Sequence, residues 1–256
     1  MVDRVDLFKL TDKVAVVTGA SEGIGSAIAM GLAEAGADIV VCSRREEKLK
    51  VVKTDIEKTG RRAEIFILDI CQTGEIEALK KFIQTRFGKA DILVNNAGFT
   101  VTKPAWDTTE DDWDQMLDTG LKGLFFCCQI IGSLMKEHGY GKIINLSSTF
   151  SRSIIPGRSV YAAVKAGVSH LTEALAMEWA PCGIRVNALA PTAVLTPSRA
   201  QLLQGEVLKK ILSRIPLGRL ATPDDLINTS IYLASPASDF VTGHTLFVDG
   251  GWVAAS

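Results

Sequence analysis

A short apolar run, Lys13-Val-Ala-Val-Val-Thr18, feeds directly into Gly19-Ala-Ser-Glu-Gly23-Ile-Gly25 and then into a helical stretch that stops at Gly36. This strand, turn and helix constrain the fold more than any other feature of the chain. A run that is apolar at successive positions suits a strand buried on both faces, and such a strand needs helices above and below its sheet. Glycines let the backbone turn tightly and admit a close neighbour. The unpaired N–H groups at the start of the helix, together with its dipole, form an anion site. The spacing, G-x-x-x-G-x-G, differs from the G-x-G-x-x-G of the commoner dinucleotide fingerprint.

The same alternation continues along the chain. Strands are expected at 14–18, 38–42, 63–68, 91–95, 142–147, 184–189 and 245–248, and helices at 24–35, 45–59, 73–87, 110–137, 159–180, 199–213 and 223–234. The expected fold class is therefore α/β, a doubly wound parallel β-sheet of about seven strands with helices on both faces. At 256 residues the chain can bury a large core. No repeat, low-complexity segment or linker marks a boundary, so a single domain over 1–256 is expected.

Composition removes several function classes. A net charge of −1 offers no general attraction to nucleic acid or to an anionic membrane. Cys42, Cys71, Cys127, Cys128 and Cys182 form no C-x-x-C and no metal spacing. They read as reduced, mostly core thiols, which places the protein in the cytoplasm or another reducing compartment. His138, His170 and His244 show no ligand spacing either, so no metal is expected. Asp3, Arg4, Asp6 and Lys9 break up the N-terminal apolar residues, unlike a signal peptide. No apolar run approaches the ~20 residues of a membrane span.

Chemistry enters with Tyr161-Ala-Ala-Val-Lys165, which has Ser148 thirteen residues upstream. On a helix, positions i and i+4 share a face, so phenol and ammonium can point into one cleft. A phenol of ordinary pKa about 10 becomes a useful acid-base group near neutrality when a cation lowers it, and Lys165 is the expected cation. Ser148 can hold the oxygen of a carbonyl or alcohol beside the phenol. On spacing alone, a half-buried tyrosine next to a surface lysine is the commoner meaning of such a pair.

The set Thr18-Gly19-Ala-Ser-Glu-Gly23-Ile-Gly25, Asn95-Asn96-Ala97-Gly98, Ser148 and Tyr161-x-x-x-Lys165, with Pro191, Thr196 and Val248-Asp-Gly-Gly251, resembles the short-chain dehydrogenase/reductase family. The likeness runs from about Lys13 to the C-terminus, with the motifs in the family's order. It implies a Rossmann-like sheet, an oxidoreductase acting on CH–OH groups, and a catalytic set of Ser148, Tyr161 and Lys165. Ser147 is the neighbouring candidate, but the thirteen-residue spacing matches Ser148. The implied cofactor surface comprises Gly19, Ser21, Glu22, Gly23, Ile24 and Gly25, then Ser43 and Arg44, Asp69 and Ile70, Asn96, Ala97 and Gly98. Tyr161, Lys165, Pro191, Val194 and Thr196 complete it. Asn95-Asn96 can equally be ordinary turn residues. Asp249-Gly250-Gly251 is expected to serve turn geometry and a subunit contact.

Two positions depart from the family pattern. Gly120 stands where the family commonly carries a helical asparagine that holds a water beside the lysine. A mid-helix glycine costs ~1 kcal/mol relative to alanine, so it marks a kink or a close backbone approach. A water with a backbone carbonyl is the expected substitute for the missing side chain. Thr192 replaces the usual glycine after Pro191, at the start of a segment, 191–216, where the family keeps a mobile substrate lid.

An acidic residue at the end of the second strand favours NAD, whereas an arginine there accommodates a 2′-phosphate. Here the strand ends in Ser43-Arg44-Arg45, which predicts NADP(H) over NAD(H). An exposed loop arginine is the plain alternative, and Glu22 in the glycine turn argues mildly against the phosphate. Phe150, Arg152, Ser148 and Tyr161 are the expected substrate contacts. Phe99, Trp106, Ile154, Ile155, Leu195 and Trp252 are further candidates for the lining, and Arg158 and Arg199 are flanking cations that can pair with a carboxylate. The resemblance points to a secondary alcohol or ketone on a small polar substrate of sugar, polyol or sugar-acid type, or on a ketone. A β-ketoacyl thioester reductase and a catalytically silent NADP-binding sensor or scaffold are the alternatives. The family's assemblies imply a homo-oligomer, a tetramer or dimer. Leu124, Phe125, Phe126, Ile130, Ile131, Leu134 and Met135 give the helix around them either a subunit face or simply a core face.

Overall fold

Every other residue of a strand faces the same side of its sheet. In β1 (Val14–Thr18) Ala15 and Val17 enter one apolar cluster while Val16 enters another. The continuous apolar run thus serves two cores at once. The strands β2 (Asp38–Ser43), β3 (Ala63–Ile67), β4 (Ile92–Asn95), β5 (Gly141–Leu146), β6 (Ile184–Pro191) and β7 (Thr245–Val248) complete one parallel sheet, ordered β3-β2-β1-β4-β5-β6-β7. The computed structural model describes residues 4–255. Asp3 of the charged N-terminal stretch and both ends of the expected 1–256 span lie outside the described residues.

On one face, α1 (Gly23–Glu34), α2 (Glu46–Glu57) and α8 (Asp224–Ala234) cover the sheet with Ile28, Leu32, Leu49, Ile56, Leu226 and Leu233. On the other, α3 (Thr73–Phe87), α5 (Gly123–His138) and α6 (Ser159–Trp179) contribute Ile76, Leu79, Ile131, Leu134, Val168 and Leu175. Each such side chain, fully buried, contributes roughly 1.5–3 kcal/mol relative to exposure. The expected doubly wound sheet with helices on both faces is the observed one. The chain runs outward from β1 to β3 and then returns to β4 on β1's other side. Connections therefore diverge at the carboxyl ends of β1 and β4 and leave a crevice there, the place where open α/β sheets bind ligands.

Two helices differ from their sequence expectation. The stretch 110–137 is not one helix. It divides into α4 (Glu110–Leu117), a π-helical turn over Asp118–Lys122 and α5. Close approaches at Gly120 and Gly123 accompany the break, as described below. The stretch 199–213 is helical only as α7 (Gly205–Leu212), and residues 197–202 form turns instead. None of the α7 residues is fully buried, so its leucines and isoleucine only half cover themselves against the body. Leu124, Ile130, Ile131, Leu134 and Met135 are buried within the chain's own core, and only Phe125 and Phe126 remain half-buried. The helix is a core helix first.

Candidate active site

The crevice is built by two turns that interlock. Thr18 Oγ1, at the end of β1, accepts the backbone N–H groups of Asn96 (3.1 Å) and Ala97 (3.2 Å). Asn96 Nδ2 in return donates to the carbonyls of Thr18 (3.1 Å) and Gly19 (3.0 Å). A Cβ on Gly25 would stand 2.4 Å from that amide nitrogen, and one on Gly19 would stand 2.8 Å from Ala97 Cα. These glycines are required by the second turn before any ligand arrives. Gly23 has φ +66°, and its open face lies 3.2 Å from Thr196 Cγ2 measured from a built Cβ. The segment after β6 therefore leans on the glycine turn. Val194, bridged to Ala221, is buried there with Thr196.

Asn95 faces the other way, into the core. Its Nδ2 donates to Asn145 Oδ1 (3.0 Å) and Cys128 Sγ (3.1 Å), and Asn145 Nδ2 donates to Thr172 Oγ1 (3.0 Å). This buried network ties α5 and α6 to the sheet.

At the outer end of the crevice, Glu22 accepts Arg45 Nη1 at 2.8 Å and also Lys48 Nζ, while Arg45 Nη2 donates to Ser21 Oγ at 2.7 Å. The Lys48 and Arg45 hydrogen bonds hold the Glu22 carboxyl below the usual carboxylate range. The acid that argued against a phosphate is thus already neutralised. Ser43 Oγ accepts the Arg45 backbone N–H at 3.1 Å. Arg44 stands apart: its side chain is 77% exposed and reaches only Asp69, at 4.0 Å. Asp69 Oδ1 caps its own turn through Cys71 N–H at 3.0 Å, and Ile70 beside it is buried. Lys48 is not among the sequence candidates, and Arg45 is there only as part of the strand-end pair, without its role beside Glu22. The signal was present, because a carboxylate in an anion-binding turn needs cations beside it.

The catalytic candidates meet at the inner end. Ser148 follows β5 and caps a 3-10 turn (Thr149–Ser151), its Oγ accepting Phe150 N–H at 3.2 Å. Tyr161 lies in the first turn of α6, and Ser148 is a group that lowers the pKa of its phenol. Lys165 is buried one turn further on, with Nζ 5.7 Å from the Tyr161 ring centroid and donating to Leu146 O at 2.6 Å. A Cβ built on Gly98 comes 4.0 Å from that Nζ, which puts the second turn directly beside the lysine. Ser147 is committed elsewhere: its Oγ donates to Lys165 O at 3.1 Å and lies 2.8 Å from Ser169 Oγ. Of the two serines, Ser148 is the one that acts on the phenol.

The electrostatics differ from the sequence expectation. Burial pushes the Tyr161 phenol above its ordinary pKa and outweighs the lowering by Ser148, Arg199 and Arg158. Lys165 is buried too. Burial brings its own pKa down to about 8, and its nitrogen is turned to the Leu146 carbonyl. Within the protein the phenol is a protonated acid held beside a weakly held ammonium.

Gly120 sits in the π turn, a local widening often found at functional sites. A Cβ there would meet Val164 Cγ1 at 2.7 Å, and one on Gly123 would meet the Ile70 carbonyl oxygen at 2.6 Å. Val164 of α6 occupies the space a side chain at 120 would need. The missing asparagine is therefore matched by a valine one residue before Lys165, a complementarity visible only once the two helices are packed.

The opposite wall is aromatic. Phe150 stands edge-on to Tyr161 (6.0 Å between centroids) and to Trp252 (6.3 Å). Trp252 is buried, donates Nε1–H to Ser153 Oγ at 2.7 Å, and carries the Arg214 guanidinium 4.6 Å from its ring. Asp249 turns the C-terminus towards this wall by accepting Gly251 N–H (2.9 Å) and Val253 N–H (2.8 Å), which is the expected turn role. Trp106 is 98% exposed on a surface turn, and Phe99, Ile154 and Leu195 are exposed at the rim, while Ile155 is half-buried. Arg152 is exposed at the end of the 3-10 turn, whereas Arg158 and Arg199 are half-buried and both act on the phenol. Among the described residues no cluster of acids, histidines and cysteines suits a metal, and no helix is long and apolar enough to cross a membrane.

A family model described as Enoyl-(Acyl carrier protein) reductase matches residues 19–253. The 2-dehydro-3-deoxy-D-gluconate 5-dehydrogenase of Dickeya dadantii is 40% identical over 252 residues, covering 98% of this chain and 99% of that one. An NAD-dependent glycerol dehydrogenase of Listeria innocua is 38% identical over 245 residues, covering 96% and 95%. Among solved structures, a gluconate 5-dehydrogenase from Burkholderia cenocepacia, in complex with NADP and tartrate, superposes with a TM-score of 0.95. It is 38% identical and covers 99% of this chain and 100% of that one.

Proposed function

The chain belongs to the short-chain dehydrogenase/reductase family, and on that premise we propose that it is an NADP(H)-dependent oxidoreductase interconverting a secondary alcohol and a ketone on a small, polar, sugar-acid-like substrate. The observation that carries this reading is the Ser148–Tyr161–Lys165 constellation. A phenol kept protonated, influenced by Ser148 and backed by a buried lysine, lies beside the turn that follows β4 at the strand switch point. The similarity to a gluconate 5-dehydrogenase in complex with NADP and tartrate supports the substrate class and the cofactor.

The residues present fit such a cofactor. Gly19, Ser21, Glu22, Gly23, Ile24 and Gly25 offer an anion-binding turn at the start of α1, with Asn96, Ala97, Gly98 and Pro191, Val194 and Thr196 on either side. Asp69 and Ile70 flank the adenine end. Arg44, exposed and held by only a 4.0 Å ion pair, is the group available to a 2′-phosphate, with Ser43 beside it. When bound, the nicotinamide supplies or accepts the hydride.

The protein's own work is proton transfer and positioning. In reduction Tyr161 Oη gives its proton to the carbonyl oxygen, and Ser148 Oγ hydrogen-bonds that oxygen as charge develops on it. Lys165 holds ribose hydroxyls and returns a proton towards the phenol. Its nitrogen reaches the Leu146 carbonyl, so the relay uses backbone and water rather than a side chain at 120. Phe150 and Arg152 border the substrate, and residues 191–216, including the half-covered α7, act as its lid. We read 1–256 as one catalytic unit, working in the cytoplasm with all five thiols free and assembled as a homo-oligomer, a tetramer or dimer.

The test is NADPH and NADH oxidation against keto-sugar acids, ketoses, diketones, aromatic ketones and a β-ketoacyl thioester, with Tyr161→Phe alongside. Turnover on a keto-sugar acid that falls about 100- to 10,000-fold in Tyr161→Phe is the expected result. Turnover confined to the thioester would give the site to acyl-chain chemistry. No oxidation of bound NADPH by any carbonyl would leave a binding protein without a reaction.

A further inference from the structure

The sequence places Trp252 among the candidate lining residues, yet it is only 4% exposed and stands behind the wall of the site. Of the chain's four tryptophans it alone is buried: Trp106 and Trp113 are exposed, and Trp179 is half-buried. Its contacts run in three directions. Nε1–H donates to Ser153 Oγ at 2.7 Å, and that hydroxyl donates in turn to Thr149 O at 3.2 Å. Thr149 opens the 3-10 turn that Ser148 caps. The indole also meets Phe150 edge-on, 6.3 Å between centroids, and Phe150 meets Tyr161 in the same way at 6.0 Å. Over the ring lies the Arg214 guanidinium, at 4.6 Å. The residues after that arginine hold the two glycines before Trp252. A Cβ on Gly250 would come 2.8 Å from Ile215 Cγ2, one on Gly251 would come 3.0 Å from Pro216 Cγ, and Leu217 N–H donates to Gly250 O at 3.1 Å. One buried side chain thus touches the supports of both Ser148 and Tyr161 and the end of the proposed lid segment.

We propose that Trp252 is a positioning residue for the reaction: its indole N–H, acting through Ser153, fixes the turn that carries Ser148 and Phe150, and so the places from which Ser148 and Tyr161 act on one substrate oxygen. The role rests on the reductase reading above. A reacting group must stay within about 0.5 Å of its productive place, and packing with hydrogen bonds from behind is what holds it there. The Ser153 hydroxyl is engaged on both sides, its proton on Thr149 O and a lone pair on the indole N–H, so it has one orientation. The Thr149 carbonyl also accepts the Ser153 N–H at 2.9 Å and the Arg152 N–H at 3.1 Å, which closes the turn on itself. Tryptophan suits this task because it is a wide apolar plate ending in a donor and no acceptor. Phenylalanine would keep much of the plate and lose the donor.

The experiment is a double-mutant cycle on the carbonyl of the panel above that turns over fastest, at saturating NADPH and at a temperature where every variant is folded. Trp252→Phe and Ser153→Ala are each expected to lower kcat roughly 10-fold. Ser153→Thr, which keeps the hydroxyl, should recover most of that loss. The double variant should be no slower than Ser153→Ala alone, because both changes act through one bond. NADPH affinity in a fluorescence titration should stay unchanged throughout. A tryptophan that served stability alone would lower the melting temperature and leave kcat per folded molecule as it was, and that result would overturn the proposal. Losses that add across the cycle, or an equal loss of NADPH binding, would overturn it too. A second measurement is independent of turnover. The amides of Ser151, Arg152 and Ser153, which donate to Ser148 O and Thr149 O, should exchange hydrogen roughly 10-fold faster in Trp252→Phe. Unchanged exchange there would break the tie. Faster exchange in a protein whose wild type never consumes NADPH with any carbonyl would leave the tie standing and sink the reductase reading instead.

Discussion

The two ends of the crevice are built differently. At the cofactor end, a few short segments interlock through backbone: Thr18, Gly19, Gly25 and Asn96 hold one another by hydrogen bonds of 3.0–3.2 Å and by the absence of two Cβ atoms. At the proposed substrate end the wall is assembled from side chains of separate segments, with Phe150, Ser153, Tyr161, Arg214 and Trp252 meeting only in the folded chain. The first arrangement is rigid and tolerates little replacement. The second places its selectivity in side chains that can change without disturbing the turn chemistry, which is how one fold can serve many substrates.

That contrast can be broken from the cofactor end. Arg44→Ala is expected to weaken NADPH binding by about 10- to 100-fold, the scale of charged hydrogen bonds, and to leave NADH binding unchanged in a fluorescence titration. Equal loss for both dinucleotides would mean that Arg44 serves the turn rather than the phosphate, and Arg45 with Lys48 would then be the discriminating pair. The boundary between the two ends is tested at Gly120. Gly120→Asn must displace Val164 and is expected to destabilise the protein by about 1–3 kcal/mol in denaturant unfolding. It should cost much less in a Val164→Ala background, as a double-mutant cycle would show. If Gly120→Asn instead raised turnover by orders of magnitude without destabilisation, the relay would be defective in this chain.

The smallest effect concerns Lys165. Its pKa is about 8 in the folded protein against an ordinary value near 10.4. Between those values the folded protein has shed a proton that the unfolded chain still holds, so stability rises with pH across that window. Below pH 8 this contribution is flat. Lys165→Met should remove a slope of at most about 1.4 kcal/mol per pH unit from a stability curve measured between pH 8 and 10. For activity, the phenol raised by burial stays protonated at neutral pH, which suits it to donate in reduction, and alcohol oxidation should rise with increasing pH.

Much of the fold was legible because burial on both faces leaves a plain mark: β1 and β7 occupy the expected residues, and the other strands lie close to theirs. The failures share one cause. The apolar pattern through 110–137 is continuous, yet the helix is interrupted where Gly120 and Gly123 come against Val164 and the Ile70 carbonyl. No periodicity within that stretch reports what α6 and the end of β3 place beside it. Likewise, Glu22 read alone argued against a phosphate, and its neutralisation by Arg45 and Lys48 depends on bringing the first turn against the start of α2. The expected lowering of the phenol pKa by Lys165 is outweighed for the same reason, because spacing puts Lys165 near the phenol but does not report the desolvation that raises it.

By itself the sequence determined the alternation of strands and helices, the glycine turn, and the spacing that sets Tyr161 and Lys165 on one helical face. Those are local properties, written in the periodicity of side chains and in residues without Cβ atoms. The tertiary structure decided which serine is tied to α6 and which acids are already spent. Such outcomes depend on distance and desolvation between segments far apart in the chain, quantities that exist only after packing.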